Sequence, residues 1–283
     1  MRHIDDDERR TRLARRHALH PAHRAADAEA ATRAVTVLHA TEPATVYLSL
    51  WARVDDLTVD DVDRVLFEQR SLVKQLAMRR TLFLFPRDLL PAAWGSISAR
   101  VADQLGARLA KEVEAQGIAA DGAAWLDAAR SAILRRVAGG DGLSAQELRD
   151  QVPELAGQLV LAPDKSYGAT VQVAPRVLTQ LGVEGSLVRG RNGGHWRISR
   201  PLWTSMESWL GESTQPWPAR EGYAELVRRW LASFGPGTAA DLQWWLGSTV
   251  AAVRTALADV GAVEVALDGG ATGWVLPDDV EPV

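Results

Sequence analysis

Tyr223-Ala224-Glu225-Leu226-Val227-Arg228-Arg229-Trp230-Leu231 opens the stretch that decides the fold, and the stretch closes on Trp274-Val275-Leu276. Its apolar residues recur at helical spacing until Gly235-Pro236-Gly237 stops the helix. Thr238 is placed to cap a short helix through Asp241-Leu242-Gln243-Trp244-Trp245-Leu246, since its hydroxyl accepts from an orphaned backbone N–H. Gly247 ends that helix, and Ser248 is expected to cap the next, Val250 to Val260. Beyond Gly261, the run Val263-Glu264-Val265-Ala266-Leu267, the turn Asp268-Gly269-Gly270 and Trp274-Val275-Leu276 read as a β-hairpin. Three helices and then a hairpin is the order of a winged helix-turn-helix.

The same order recurs upstream. A helix over Ala123 to Val137 precedes Gly139-Gly140-Asp141-Gly142. Ser144, with Glu147 three residues on, then forms a capping box for Ala145 to Gln151. A helix around Pro175 to Leu181 follows, and strand Ser186 to Arg189 is expected to meet His195-Trp196-Arg197-Ile198 across the tip Arg191-Asn192-Gly193-Gly194. Nearest the N-terminus the pattern is blurred: helices near 9–19, 27–39, 44–53 and 59–68, then a strand pair split at Arg79-Arg80. The expected fold class is mainly α with short β-hairpins (α+β), as tandem winged helix-turn-helix units over 1–93, 94–216 and 217–283. Trp274-Val275-Leu276-Pro277-Asp278-Asp279 reads like the last strand of a wing running into a linker, so a further part is expected beyond it.

Composition narrows the function classes. The 283 residues are 47% hydrophobic and 24% charged, which is globular rather than disordered. With no cysteine, a disulfide framework and a Cys-based zinc site are both excluded. No apolar run reaches the ~18 residues of a membrane span, and Met1-Arg2-His3-Ile4-Asp5-Asp6-Asp7 lacks the apolar core of a signal peptide. A cytoplasmic protein is expected. The net charge of −4 argues against a surface coated with phosphate ligands, but distribution matters more than the sum. Between Arg9 and Arg24 stand six arginines, three histidines and no acid. Arg12 and Arg16 in that run are candidate DNA contacts.

No Walker A loop, GxGxxG, HExxH or GxSxG is present. His17, His20 and His23 have metal-like spacing but no nearby acid, so a solvated face is the expectation and no metal or cofactor is implied. The most unusual segment is Leu38-His39-Ala40-Thr41-Glu42-Pro43, where one helix should end near His39 and Pro43 should begin the next. Two residues apart, His39 and Thr41 would diverge by about 200° on a helix but share a side on an extended connector. An imidazole, a hydroxyl and a carboxylate then converge at a helix N-terminus. The plain alternative is that Thr41 caps the second helix and His39 the first.

Through Leu38-His39-Ala40-Thr41-Glu42-Pro43, Met78-Arg79-Arg80-Thr81-Leu82-Phe83 and the Gly235-Pro236 to Trp244-Trp245 region, the chain resembles the HTH_42 winged-helix superfamily. That superfamily includes the AlkZ-like and YcaQ-like bacterial DNA glycosylases, which unhook interstrand crosslinks, and the resemblance spans nearly the whole length. It implies three tandem winged helices plus a C-terminal β-rich part, which this sequence is expected to lack. It also implies a Gln-x-Gln or Gln-x-Asp motif that positions the hydrolytic water, and His39 and Thr41 stand at the matching positions. The sequence departs from the motif at both. Imidazole can still accept a proton from water, a hydroxyl can orient that water, and Glu42 can stabilise positive charge on the sugar. His39, Thr41 and Glu42 are therefore the candidate catalytic residues.

Further DNA contacts are expected from Arg53 and from Arg79 and Arg80 at a hairpin tip. Lys165, Arg176, Arg189, Arg191 and Asn192 cluster around the second helix and hairpin. The leading expectation is a monomeric, monofunctional, metal-free DNA glycosylase acting on alkylated or crosslinked bases in double-stranded DNA. A non-catalytic winged-helix DNA binder or transcription regulator is the alternative, and a protein-interaction scaffold is a third.

Overall fold

A computed structural model describes residues 1–139, 142–161 and 168–283. Contacts divide the chain into two compact units, 1–97 with 215–283, and 98–214. The first and third sequence segments thus share one unit.

The chain begins with strand β1 (His3–Ile4) and helix α1 (Asp6–Arg16). Asp5 accepts from Glu8 N–H at 2.8 Å, acids fill the first turn and Arg15 and Arg16 the last, so capping and the helix dipole agree. Helix α2 (Ala28–Arg33) is capped by Asp27. It is shorter than the expected 27–39. Thr36 leaves helical geometry at φ 63°, where its hydroxyl donates to the Arg229 carbonyl (3.2 Å) and shares a hydrogen bond with the Ser233 hydroxyl (3.0 Å). The β-branched run Val35-Thr36-Val37 disfavours further helix, and Leu38–His39 becomes strand β2. Helix α3 (Pro43–Trp51) starts on a proline whose missing N–H costs nothing there. Helix α4 (Val59–Asp63) carries a Thr58–Asp61 capping box and runs into a π-turn over Arg64–Glu68. Strands β3 (Leu72–Leu76) and β4 (Leu82–Pro86) pair antiparallel, β2 joins the free edge of β4, and helix α5 (Leu90–Ala93) follows.

The second unit opens with helices α6 (Ala99–Ala115) and α7 (Gly122–Val137). They cross closely at Gly122, where an added Cβ would lie 2.1 Å from the Ala110 carbonyl. Helix α8 (Ala145–Gln151) has the expected Ser144–Glu147 capping box. A short hairpin, β5 (Gln158–Leu161) and β6 (Ala169–Gln172), precedes helix α9 (Ala174–Val183), whose Val177, Leu178 and Leu181 pack with Ile133 and Leu148. Strands β7 (Leu187–Asn192) and β8 (Pro201–Ser205) close the hairpin, followed by helix α10 (Met206–Leu210). The partner strand is therefore not the expected His195–Ile198. Asn192 donates to the carbonyls of Gly194, His195 and Ile198 and accepts from Arg200 N–H, which folds the intervening residues into a loop.

The remainder completes the first unit. Helix α11 (Ala219–Phe234) is followed by α12 (Ala239–Leu246), which has a Thr238–Asp241 capping box and ends on Gly247 at φ 60°. Helix α13 (Val250–Asp259) is capped by Thr249 rather than Ser248: Ala252 N–H donates to Thr249 Oγ1 at 3.2 Å, while Ser248 N–H donates to the Gln243 carbonyl at the end of α12. Strands β9 (Val263–Leu267) and β10 (Thr272–Val275) form the expected hairpin, and β1 adds to it in parallel. The result is a mixed helix and strand fold whose strands are short. Among the described residues, no helix is long and apolar enough to cross a membrane.

Candidate active site

The connector from β2 to α3 is built by strand alternation. Leu38 and Ala40 are buried under the sheet, and Ala40 N–H donates to the Leu82 carbonyl at 2.9 Å. Their neighbours His39 and Thr41 are consequently thrown outward together, both exposed. Thr41 Oγ1 lies 3.4 Å from His39 Nε2, a long hydrogen bond. The edge of the imidazole meets the Phe83 ring at 5.8 Å and 87°, since His39 pairs with Phe83 across β2 and β4. Glu42 occupies the N-cap position of α3, yet its exposed carboxylate makes no capping hydrogen bond. Neither plain alternative holds: Thr41 does not cap α3, and His39 lies in a strand, not at the end of α2.

An imidazole nitrogen, a hydroxyl and an uncommitted carboxylate thus stand within four residues at the positive end of a helix. The first two can hold one water against both of them from the solvent side, and the third can face a developing cation. Two supporting residues escaped the sequence reading. Phe83 sets the ring of His39, and its place in an apolar alternating strand was the available signal. Tyr47, one turn into α3, donates to Asp63 Oδ1 at 2.6 Å and so ties α3 to α4. Burial, and then the Asp63 hydrogen bond, push the Tyr47 phenol well above its ordinary range.

The expected DNA-binding residues divide sharply. Arg12 is a correction: it is fully buried, with its guanidinium on Glu8, Asp279 and the Glu281 carbonyl, out of reach of a phosphate. Arg16 is likewise spent, on Asp279 and the Gly235 carbonyl. Half-buried Arg53 donates to the Ser49 carbonyl at 2.8 Å, and nearby Asp55 pairs with Arg24. Arg79 donates to the carbonyls of Trp244 (2.6 Å) and Trp245 (3.0 Å), and Arg80 beside it is exposed. In the other unit, Arg176 pairs with Glu112. Arg189 lies over the Trp203 ring at 5.3 Å, and burial lowers its pKa. Asn192 organises its own loop, Arg191 is exposed, and Lys165 falls outside the described residues. His17 contacts the Ser233 carbonyl at 3.1 Å and packs on Phe234, apart from any metal-like set. Among the described residues, no group of three His, Asp or Glu is arranged to hold a metal ion. Of the acids lining a cavity of about 390 Å³ between α2 and α4, Asp27 caps α2, the Asp61 carboxylate accepts from Thr58 N–H and pairs with Arg64, and Asp55 pairs with Arg24.

The family model for AlkZ-like DNA glycosylases matches residues 32–283, from within α2 through the connector to the last residue. The chain belongs to the AlkZ-like DNA glycosylase family. The fold agrees with it: a solved structure of the Streptomyces sahachiroi DNA glycosylase AlkZ superposes with a TM-score of 0.74 at 20% identity, covering 98% of this chain and 71% of that one. No curated protein sequence matches. Membership assigns the protein to the glycosylases, hydrolases of N-glycosyl bonds that act on DNA.

Proposed function

We propose that this protein is a monofunctional glycosylase that releases alkylated or crosslinked bases from double-stranded DNA, with His39, Thr41 and Glu42 as its catalytic residues. The observation that carries the proposal is the 3.4 Å approach of Thr41 Oγ1 to His39 Nε2 beside the free carboxylate of Glu42. Within the family frame, these stand where the water-positioning pair is expected. Thr41 orients a water, His39 takes its proton as the oxygen adds to the anomeric carbon, and Glu42 steadies the cationic sugar. The base leaves with the electron pair of the glycosidic bond. An N-alkylated purine is already cationic and departs neutral, so modest assistance suffices, and neither a metal nor a cofactor is required.

The element orders support tandem winged helices of the HTH_42 type. α11, α12, α13 and the β9–β10 hairpin give one, α7, α8, α9 and β7–β8 a second, and α2 through β4 a third. We assign these to 217–283, 94–216 and 1–93, acting as a monomer in the cytoplasm on DNA repair or on self-resistance to a genotoxin. Exposed Arg80 and Arg191 are the DNA contacts this reading retains.

The test is a duplex carrying one 7-methylguanine or one interstrand crosslink. Release of free base and alkali-labile abasic sites is expected, without a strand break before alkali and without sensitivity to a chelator. Intact duplex binding with no base release would overturn catalysis and leave a non-catalytic DNA binder.

A further inference from the structure

Trp244 is 68% exposed although it sits on α12, whose Leu242 and Leu246 are core residues. It is nevertheless held. The Arg79 guanidinium lies 4.3 Å from the indole centroid, and its Nη1 donates to the carbonyls of Trp244 and Trp245 at the end of the same helix. The contact is built at some cost in backbone conformation. Arg79 and Arg80 are consecutive non-glycine residues in the left-handed region, at φ 53° and 59°. Gly247 turns left-handed beneath them, and a Cβ there would meet Arg79 Cγ at 3.3 Å. Such strain persists where surrounding structure fixes it, and it concentrates at functional sites.

Capping the helix explains the guanidinium but not the open indole. A cation takes one side of the ring and most of the rest faces solvent, which is how a π-surface is presented to a flat partner in an anionic polymer. The hairpin also sets its distance from the connector. Ala40 N–H is bonded to the Leu82 carbonyl, and Arg80 lies two residues and Arg79 three residues before Leu82. At ~3.8 Å per residue, Arg79 Cα is within about 11 Å of Leu82 on β4, and the neighbouring strand that carries His39 lies ~5 Å further. The total is on the order of five base steps along a strand rising ~3.4 Å each.

We infer that Arg79 and Trp244 form a stacking platform for a nucleobase displaced from the helix near the reacting nucleotide, with Arg80 on the adjoining phosphate. The inference rests on DNA being the substrate.

The test measures Kd for two duplexes, one intact and one carrying a tetrahydrofuran abasic analogue opposite an orphaned base. Because Trp244 is exposed, Trp244→Ala should fold normally, with an unchanged melting temperature. Stacking predicts a ~5- to 150-fold loss on the abasic duplex, little change on the intact one, and substantial rescue by Trp244→Phe. Wild-type binding with Trp244→Ala within twofold on both duplexes would overturn the platform alone. Failure of the wild type to bind either duplex would overturn the DNA reading itself.

Discussion

Two polar clusters of the first unit invite comparison, the arginines of α1 and the His39–Glu42 connector. The α1 cluster carries more charge and points inward. Arg12 is fully buried, and with Arg16 it clamps Asp279, while Arg2 and Arg12 share Glu8. Burial alone would raise the Glu8 pKa, but the two guanidinium groups outweigh it and hold the carboxyl below its ordinary range. The connector has one titratable ring, one hydroxyl and one carboxylate, all exposed. Charge density on a sequence is therefore a poor guide to ligand contact. Arginine forks find carboxylates and carbonyls within the chain as readily as phosphates outside it. What marks the connector is that its polar groups are presented outward by the alternation of a buried edge strand and remain largely uncommitted.

The comparison can be broken most forcefully at Arg12. Arg12→Ala removes one side of a buried ion network, and such losses cost ~3–5 kcal/mol. The acids left behind keep some contact with water, which places the expected loss toward the lower end. Denaturant unfolding checks it, and DNA affinity of the folded variant should stay within twofold. A stable variant with weakened DNA binding would return Arg12 to the DNA-binding surface.

A smaller effect sharpens the picture behind the connector. Asp88 bridges Arg33, at the end of α2, and Arg229 on α11. Burial alone would raise its pKa, but the hydrogen bonds from Arg33 and Arg229 win and hold it at about 2 against an ordinary 3.8. A carboxylate depressed in the folded state stabilises above its unfolded pKa, and the contribution fades as pH falls from 3.8 toward 2. The Asp88 side chain is 46% exposed, so solvent screening trims this to about 1 kcal/mol or less. Stability between pH 5 and pH 2 should fall less steeply in Asp88→Asn, to about that extent. Equal slopes would mean that the bridge contributes nothing.

Much of the fold was legible because local signals agreed with the tertiary structure. The Thr238 and Ser144 caps, the Gly247 stop and the Asp268-Gly269-Gly270 turn depend on neighbours a few residues away. The failures lie where distant contacts decide. Helix α2 stops early because Ser233 and Arg229 hold Thr36, some two hundred residues on. The β7–β8 loop is shaped by four hydrogen bonds of Asn192, which no apolar periodicity reports. The connector could be read from the spacing of His39 and Thr41, but its support from Phe83 required the pairing of β2 with β4. The internal clamps of Arg12, Arg16 and Arg176 were not legible because their partners, Asp279 and Glu112, are remote in sequence.

The most direct measurement is the single-turnover rate of base release from a 7-methylguanine duplex by wild type and His39→Ala, with Kd determined alongside. Loss of a general base predicts a rate lower by ~10²- to 10⁴-fold at unchanged Kd, with Thr41→Ala slowed less. A His39→Ala rate within threefold of wild type, or a Kd that weakens as much as the rate falls, would contradict the assignment of His39 as the group that activates water.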